Sequence, residues 1–223
     1  MTPRSYPDEV AGPHDPPPRA FTDREGRAVT IRALDAGPPG GSASREATAP
    51  DDRPEESAPP SDADPPAGAL EALVAMYLAF DPDDRAQGIP PTGEDAIRDW
   101  LDSITGEGSI NVVAWHDGDA VGHATLVPDG RGAYELAIFV LSDYQEAGIG
   151  TALIEALLGL GRERGVDRVW LTVERWNEPA KQLYRKVGFR STGRDSFEVE
   201  MSARLRRADD ESGDGNGDAD AGR

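Results

Sequence analysis

Two places in this 223-residue chain combine residue types and spacing that could do chemistry. The first is Gln145-Glu146-Ala147-Gly148-Ile149-Gly150, set between an apolar run and an amphipathic stretch. A helix that starts there offers free backbone amides and the positive end of its dipole. Two glycines let an anion such as a diphosphate approach the main chain. By itself a G-x-G at a strand-to-helix turn also suits a plain helix entry with small residues packed close. A dinucleotide fold would add a third glycine and a later acid, and a P-loop would add Gly-Lys-Ser/Thr; neither is present. The second place is Glu135, in the otherwise apolar run Tyr134 to Leu141. On an interior strand a carboxylate is costly unless partnered, and desolvation would raise its pKa toward the range useful for accepting a proton. At an exposed strand start it would be an ordinary surface acid.

Other chemistries are excluded by what the chain lacks. It has no cysteine, which removes disulfides, thiolate metal sites and cysteine nucleophiles. Its three histidines are scattered and no H-E-x-x-H occurs, so no catalytic metal is expected. The longest apolar run, Leu136 to Leu141, is far too short to cross a bilayer, and the first eight residues lack the apolar core of a secretory signal. A cytoplasmic location is the expectation.

The elements that must position these residues follow from periodicity. Val29 to Leu34 alternates like a strand. Leu70, Leu73, Val74, Tyr77 and Leu78 recur at helical spacing before Pro82, and Thr92-Gly93-Glu94-Asp95 opens a second helix carrying Ile97, Trp100, Leu101 and Ile104. Two strands, Ile110 to Trp115 and Ala120 to Val127, flank the turn sequence His116-Asp117-Gly118-Asp119. A strand from Tyr134 to Leu141 leads into a long helix whose inner stripe is Ile149, Leu153, Ala156, Leu157 and Leu160. Val169 to Val173 reads as a strand, Glu178 to Val187 as a short helix, and Phe189 to Leu205 as a hairpin. The pattern predicts a mixed, mainly antiparallel α/β sheet flanked by helices, in the order β-α-α-β-β-β-α-β-α-β-β.

Residues 36–68 hold eight prolines and little that is apolar beyond alanine, and the acidic tail at 206–223 is similar; neither buries enough surface to offset chain entropy. Residues 1–27, with Pro16-Pro17-Pro18, also read as loose, leaving one domain over 28–205 with the insert inside it. The formal charge is −19, and residues 70–205 alone carry 13 bases against 23 acids. Such a surface repels nucleic acid and anionic membranes. An acidic chain with only two lysines, Lys181 and Lys186, fits a salt-loving organism; a GC-rich genome that writes arginine for lysine fits as well.

Taken with the downstream segment, the glycine turn resembles the pyrophosphate loop of the GNAT acyltransferase superfamily, Gln/Arg-x-x-Gly-x-Gly/Ala, through Gln145, Gly148 and Gly150. Asn177-Glu178-Pro179-Ala180, Tyr184 and Gly188-Phe189 match the next motif, and the element order is that family's, with the proline-rich insert as a departure. The resemblance implies acetyl-CoA as donor and a primary amine, on a small molecule or a protein, as acceptor. It implies cofactor contacts at Phe139, Val140, Leu141, Gln145, Glu146, Ala147, Gly148, Ile149, Gly150, Thr151, Asn177 and Tyr184, with a backbone amide near Phe139 receiving the oxyanion. Glu135 is then the expected base, with relayed water as the alternative, and Tyr184 the expected acid. Asn177 by position is also a helix cap, and Tyr184 a packed aromatic. His123 could line the acceptor pocket or be a satisfied strand histidine; His116 reads as turn surface. Arg85 to Pro91 lies where the family builds its acceptor wall. Arg175, Lys181, Arg185 and Lys186 could meet CoA phosphates or form a solvated face. A homodimer is common among relatives. Two other readings share the fold: a CoA-binding sensor without turnover, and an acetyltransferase acting on protein N-termini or lysines.

Overall fold

The computed structural model describes residues 4–34, 68–81, 85, 90–194 and 197–206. The expected insert up to residue 67 and the tail from residue 207 lie outside the described residues. The elements are β1 (Arg19–Thr22), β2 (Ala28–Ala33), α1 (Ala69–Leu78), α2 (Glu94–Ile104), β3 (Ile110–His116), β4 (Asp119–Pro128), β5 (Tyr134–Val140), α3 (Ile149–Glu163), β6 (Arg168–Glu174), α4 (Glu178–Lys186), β7 (Arg190–Arg194) and β8 (Glu198–Arg204). The strands form one eight-stranded sheet in the order β1-β2-β3-β4-β5-β6-β8-β7. Neighbours are antiparallel except β5 and β6, which run parallel. The predicted order holds, with β1 added at the front.

Alternation along the central strands divides the core in two. Ile110, Val112, Ala124, Leu126 and Leu136 meet Ile149, Leu153 and Leu157 of α3 on one face. Val113, Trp115 and Ala120 meet Leu73, Tyr77, Ile97 and Leu101 of α1 and α2 on the other. Each fully buried leucine or isoleucine contributes roughly 1.5–3 kcal/mol of apolar burial. The inward face of α1 is rotated from the expected one: Leu70 and Leu78 are exposed, while Ala69 and Met76 turn inside.

Residues from Arg4 onward are not loose. Arg4 stacks 3.3 Å above the Trp170 ring and donates to Glu200 at 2.8 Å, and the Ser202 hydroxyl donates to the Ser5 carbonyl at 2.9 Å. The amide of Ala11 donates to the Arg204 carbonyl at 2.8 Å, beside the end of β8 beyond its pairing with β7. The chain then passes α3 so closely at Gly159 that a Cβ there would lie 2.7 Å from the Pro16 nitrogen. Ile154 and Leu158, off the predicted stripe, are also buried. This N-terminal strap gave no periodic signal because it is held mainly by hydrogen bonds, ion pairs and two cation–π contacts, Arg4 over Trp170 and Arg168 over Tyr6.

Candidate active site

The parallel pair β5–β6 is joined only at Tyr134↔Val169 and Glu135↔Trp170. Beyond Glu135 the two strands part. The antiparallel register with β4 continues to Val140, and the Leu141 amide donates to the Val121 carbonyl at 3.1 Å. Main-chain groups of a strand alternate between its two neighbours, so Phe139 and Leu141 spend theirs on β4. Those of Ile138 and Val140 face the gap. The Val140 carbonyl is reached there by Gln145 Nε2 at 3.2 Å, which ties the first residue of the glycine motif to the rim of the opening. The ring of Phe139 turns toward α1 and α2, 5.5 Å from Tyr77 and 5.4 Å from Trp100. The expected amide near Phe139 is therefore one residue to either side, at Ile138 or Val140.

Gly148 is the N-cap of α3, with φ +95°, a left-handed conformation that strains any side chain. No side chain caps this end. The first helical bond runs from the Ala152 amide to the Gly148 carbonyl, at 3.2 Å, so the amides of Ile149, Gly150 and Thr151 have no acceptor within the helix. Ala147 and Ile149 point into the core and fix the turn, while Glu146 is exposed. A Cβ at Gly148 would meet nothing within 4 Å, so the approach to these amides is open. At Gly150 a Cβ would lie 3.5 Å from Leu183 of α4 and 3.8 Å from Ile138 of β5. The helix start, the parted strand and α4 thus meet around one opening, and the residues there fit a diphosphate followed by a thioester arm.

Glu135 stands where the gap closes. The strand is interior, but the expectation of an enclosed carboxylate is corrected: Glu135 is exposed. Partial desolvation still pushes its pKa up, opposed by the nearby Arg4 charge and reinforced by Asp129. Tyr184 is buried with its ring 5.9 Å from Phe189, and burial pushes its hydroxyl pKa up to about 12. Asn177 caps α4, accepting from the Ala180 amide at 3.0 Å.

The other candidates sort themselves by partner. His123 is fully buried, between the Tyr77 hydroxyl (2.6 Å) and Asn111 Oδ1 (3.0 Å), and burial lowers its pKa to about 3. It is a satisfied strand histidine, not a pocket wall. His116 is more than turn surface, since its Nδ1 lies 3.0 Å from the Tyr144 hydroxyl beside the glycine turn. Lys181 is buried against the Arg175 carbonyl and Glu178, whereas Arg175, Arg185 and Lys186 are exposed. Arg85 donates to the carbonyls of Phe80, Pro90 and Pro91; residues 86–89 lie outside the described residues. A cavity of about 440 Å³ lies elsewhere, under the strap, lined by His14, Arg19, Glu155 and Arg185. Among the described residues no group of three metal-ligating side chains occurs, and no helix is long and apolar enough to cross a membrane. Sequence reading missed the contacts made on the glycine turn by Arg24 and Arg27, which lie more than a hundred residues away with no local pattern to betray them.

A mixed sheet that parts between two parallel strands, beside an uncapped glycine helix start, defines an α/β fold of the acyltransferase class. The sequence pattern of the acetyltransferase (GNAT) family matches residues 72–189, and the chain belongs to that family. An uncharacterised N-acetyltransferase of Mycobacterium tuberculosis is 34% identical over 89 residues, covering 40% of this chain and 57% of that protein. A mycothiol acetyltransferase of Clavibacter sepedonicus is 42% identical over 124 residues, covering 56% of this chain and 40% of that one. The chain thus spans 57% of the length of the first of these relatives and 40% of the second. Among solved structures, the GNAT domain of S. lividans PAT aligns with a TM-score of 0.59 at 15% identity, over 84% of this chain and 96% of that one, a likeness of fold. The ribosomal-protein-alanine N-acetyltransferase of Brucella melitensis aligns with a TM-score of 0.52 at 27% identity, over 61% and 94%.

Proposed function

We propose that this chain transfers an acetyl group from acetyl-CoA to a primary amine, on a small molecule or a protein, by direct attack. The observation that carries the reading is the parting of β5 from β6 immediately after Glu135, which turns the amides of Ile138 and Val140 to the gap, next to the uncapped start of α3. The amides of Ile149, Gly150 and Thr151 hold the diphosphate, and the thioester arm lies along β5 as a strand would. Five residues of strand separate Glu135 from Val140, about 17 Å of backbone at the usual rise.

An ammonium must lose a proton before it can attack, and Glu135 takes it. The nitrogen lone pair then forms the N–C bond while the carbonyl oxygen gains charge, which the open β5 amides at the gap stabilise. Collapse breaks the C–S bond; the second amine proton passes to the departing sulfur, which leaves as the thiol. Tyr184 remains a neutral hydroxyl at neutral pH and serves the departing sulfur as a hydrogen-bond donor. Positioning the two reactants supplies much of the acceleration.

The test is free-thiol release from acetyl-CoA across a panel of amines, with calorimetry on the same protein. Saturable binding of acetyl-CoA with steady turnover on at least one amine is expected. Binding without turnover on any small amine or protein preparation would leave a sensor, and no binding would remove the reading altogether.

A further inference from the structure

The turn between β1 and β2 lies against the glycine motif. The Arg24 amide donates to the Ala147 carbonyl at 3.1 Å, and Arg24 Nη1 donates to the Glu146 carbonyl at 3.0 Å. Arg27 Nη1 donates to the Asp143 carbonyl at 2.8 Å, and its guanidinium lies 4.2 Å over the Tyr144 ring. Asp23, its side chain fully enclosed, accepts from the amides of Glu25 (2.9 Å) and Arg27 (2.8 Å) and from Arg27 Nε (2.7 Å). Arg24 is thereby moored at the carbonyls of Glu146 and Ala147, the two residues that precede the Gly148 cap of α3.

Charge gives the mooring a purpose. From Ser142 to Thr151 the chain carries Asp143 and Glu146 and no base. A helix start supplies only about half a positive charge, while a diphosphate brings two negative ones. On α4, Lys181 is spent on Arg175 and Glu178. Arg24 is exposed, and its bond to Glu146 uses one of the five donors of a guanidinium.

We propose that Arg24 is a cofactor-binding residue, its guanidinium facing the diphosphate of bound acetyl-CoA and offsetting the acids of the turn, with Asp23 and Arg27 as positioning residues. The inference rests on the reading that acetyl-CoA binds along the α3 start and β5. A paired, charge-assisted contact of this kind is short and directional, and its strength falls with salt because the site is open to water.

Calorimetry on the full chain separates the two ideas, using acetyl-CoA and the phosphate-free S-acetyl-pantetheine at low and high salt. Arg24→Gln removes the charge and keeps a polar side chain. Acetyl-CoA affinity is expected to fall about tenfold at low salt, and less at high salt, with S-acetyl-pantetheine unchanged. Arg24→Lys should recover part of the loss. Wild-type affinity in Arg24→Gln would reduce Arg24 to a structural pin, and an equal loss for both thioesters would mean a disturbed fold; either overturns the proposal. Failure of the wild-type protein to bind acetyl-CoA would instead bring down the underlying reading, and the proposal with it.

Discussion

His123 and Glu135 project from neighbouring strands on the same face of the sheet, and both have pKa values moved by loss of water. Around His123 both ring nitrogens are partnered: the Tyr77 hydroxyl donates to Nδ1, Nε2–H donates to Asn111 Oδ1, and Asn111 Nδ2 donates to the Ile104 carbonyl at 3.4 Å. The rings of Tyr77, Trp100 and Phe139 seal the group from solvent and substrate. Glu135 has the smaller perturbation and the opposite setting, at the foot of a gap where β6 leaves β5. A shifted pKa alone therefore does not single out a base on this sheet; the proposed one, Glu135, is set apart by its place at the gap.

The sharpest way to break that contrast is to neutralise each group in turn. Glu135→Gln should lower kcat/KM about 10³-fold with acetyl-CoA affinity unchanged, as steady-state kinetics and calorimetry would register. His123→Gln should leave kcat/KM within a few-fold; the reverse ranking would overturn the assignment. Tyr184→Phe comes next, with kcat down about 10²-fold and KM for acetyl-CoA little changed.

Stability should respond the other way round. His123→Phe leaves the Tyr77 hydroxyl and Asn111 without their shared partner, a loss of about 1–3 kcal/mol in chemical denaturation, whereas Glu135→Gln should be close to neutral. The pH dependences differ in the same sense. His123 has a folded pKa near 3, below its ordinary 6.5, so the stability it contributes is complete above pH 6.5 and drains as pH falls from there toward 3. The slope should be at most about 1.4 kcal/mol per pH unit and absent from His123→Gln. For Glu135 the raised pKa places the acidic limb of the rate profile above its ordinary 4.5, a limb that Glu135→Gln should abolish. The smallest effect belongs to Asn177→Ala, which removes the α4 cap and should cost about 1 kcal/mol in thermal unfolding.

Much of this was readable from the sequence where physics is local. The periodicities of α2, α3 and β3 to β5 reflect burial on one face or two, and the glycine turn announces a backbone conformation that side chains resist. What composition hid was tertiary. The segment with Pro16 to Pro18 looked loose, yet the strap is fastened by the stacked Arg4 guanidinium, the Ser5 carbonyl as acceptor and the Ala11 amide as donor. The family resemblance put the oxyanion amide near Phe139, but alternation sends the Phe139 amide to β4 and its ring to α1, so the amides that face the gap are those of Ile138 and Val140. The enclosure expected around Glu135 failed because being interior in a sheet says nothing of what covers its faces.

Amide chemical-shift mapping during an acetyl-CoA titration is the most direct single test. Perturbations should concentrate at Ile138, Val140 and Gly148 to Thr151, with His123 and the strap cavity around His14 and Arg185 quiet. Shifts gathered under the strap, with the β5 amides unmoved, would contradict the account.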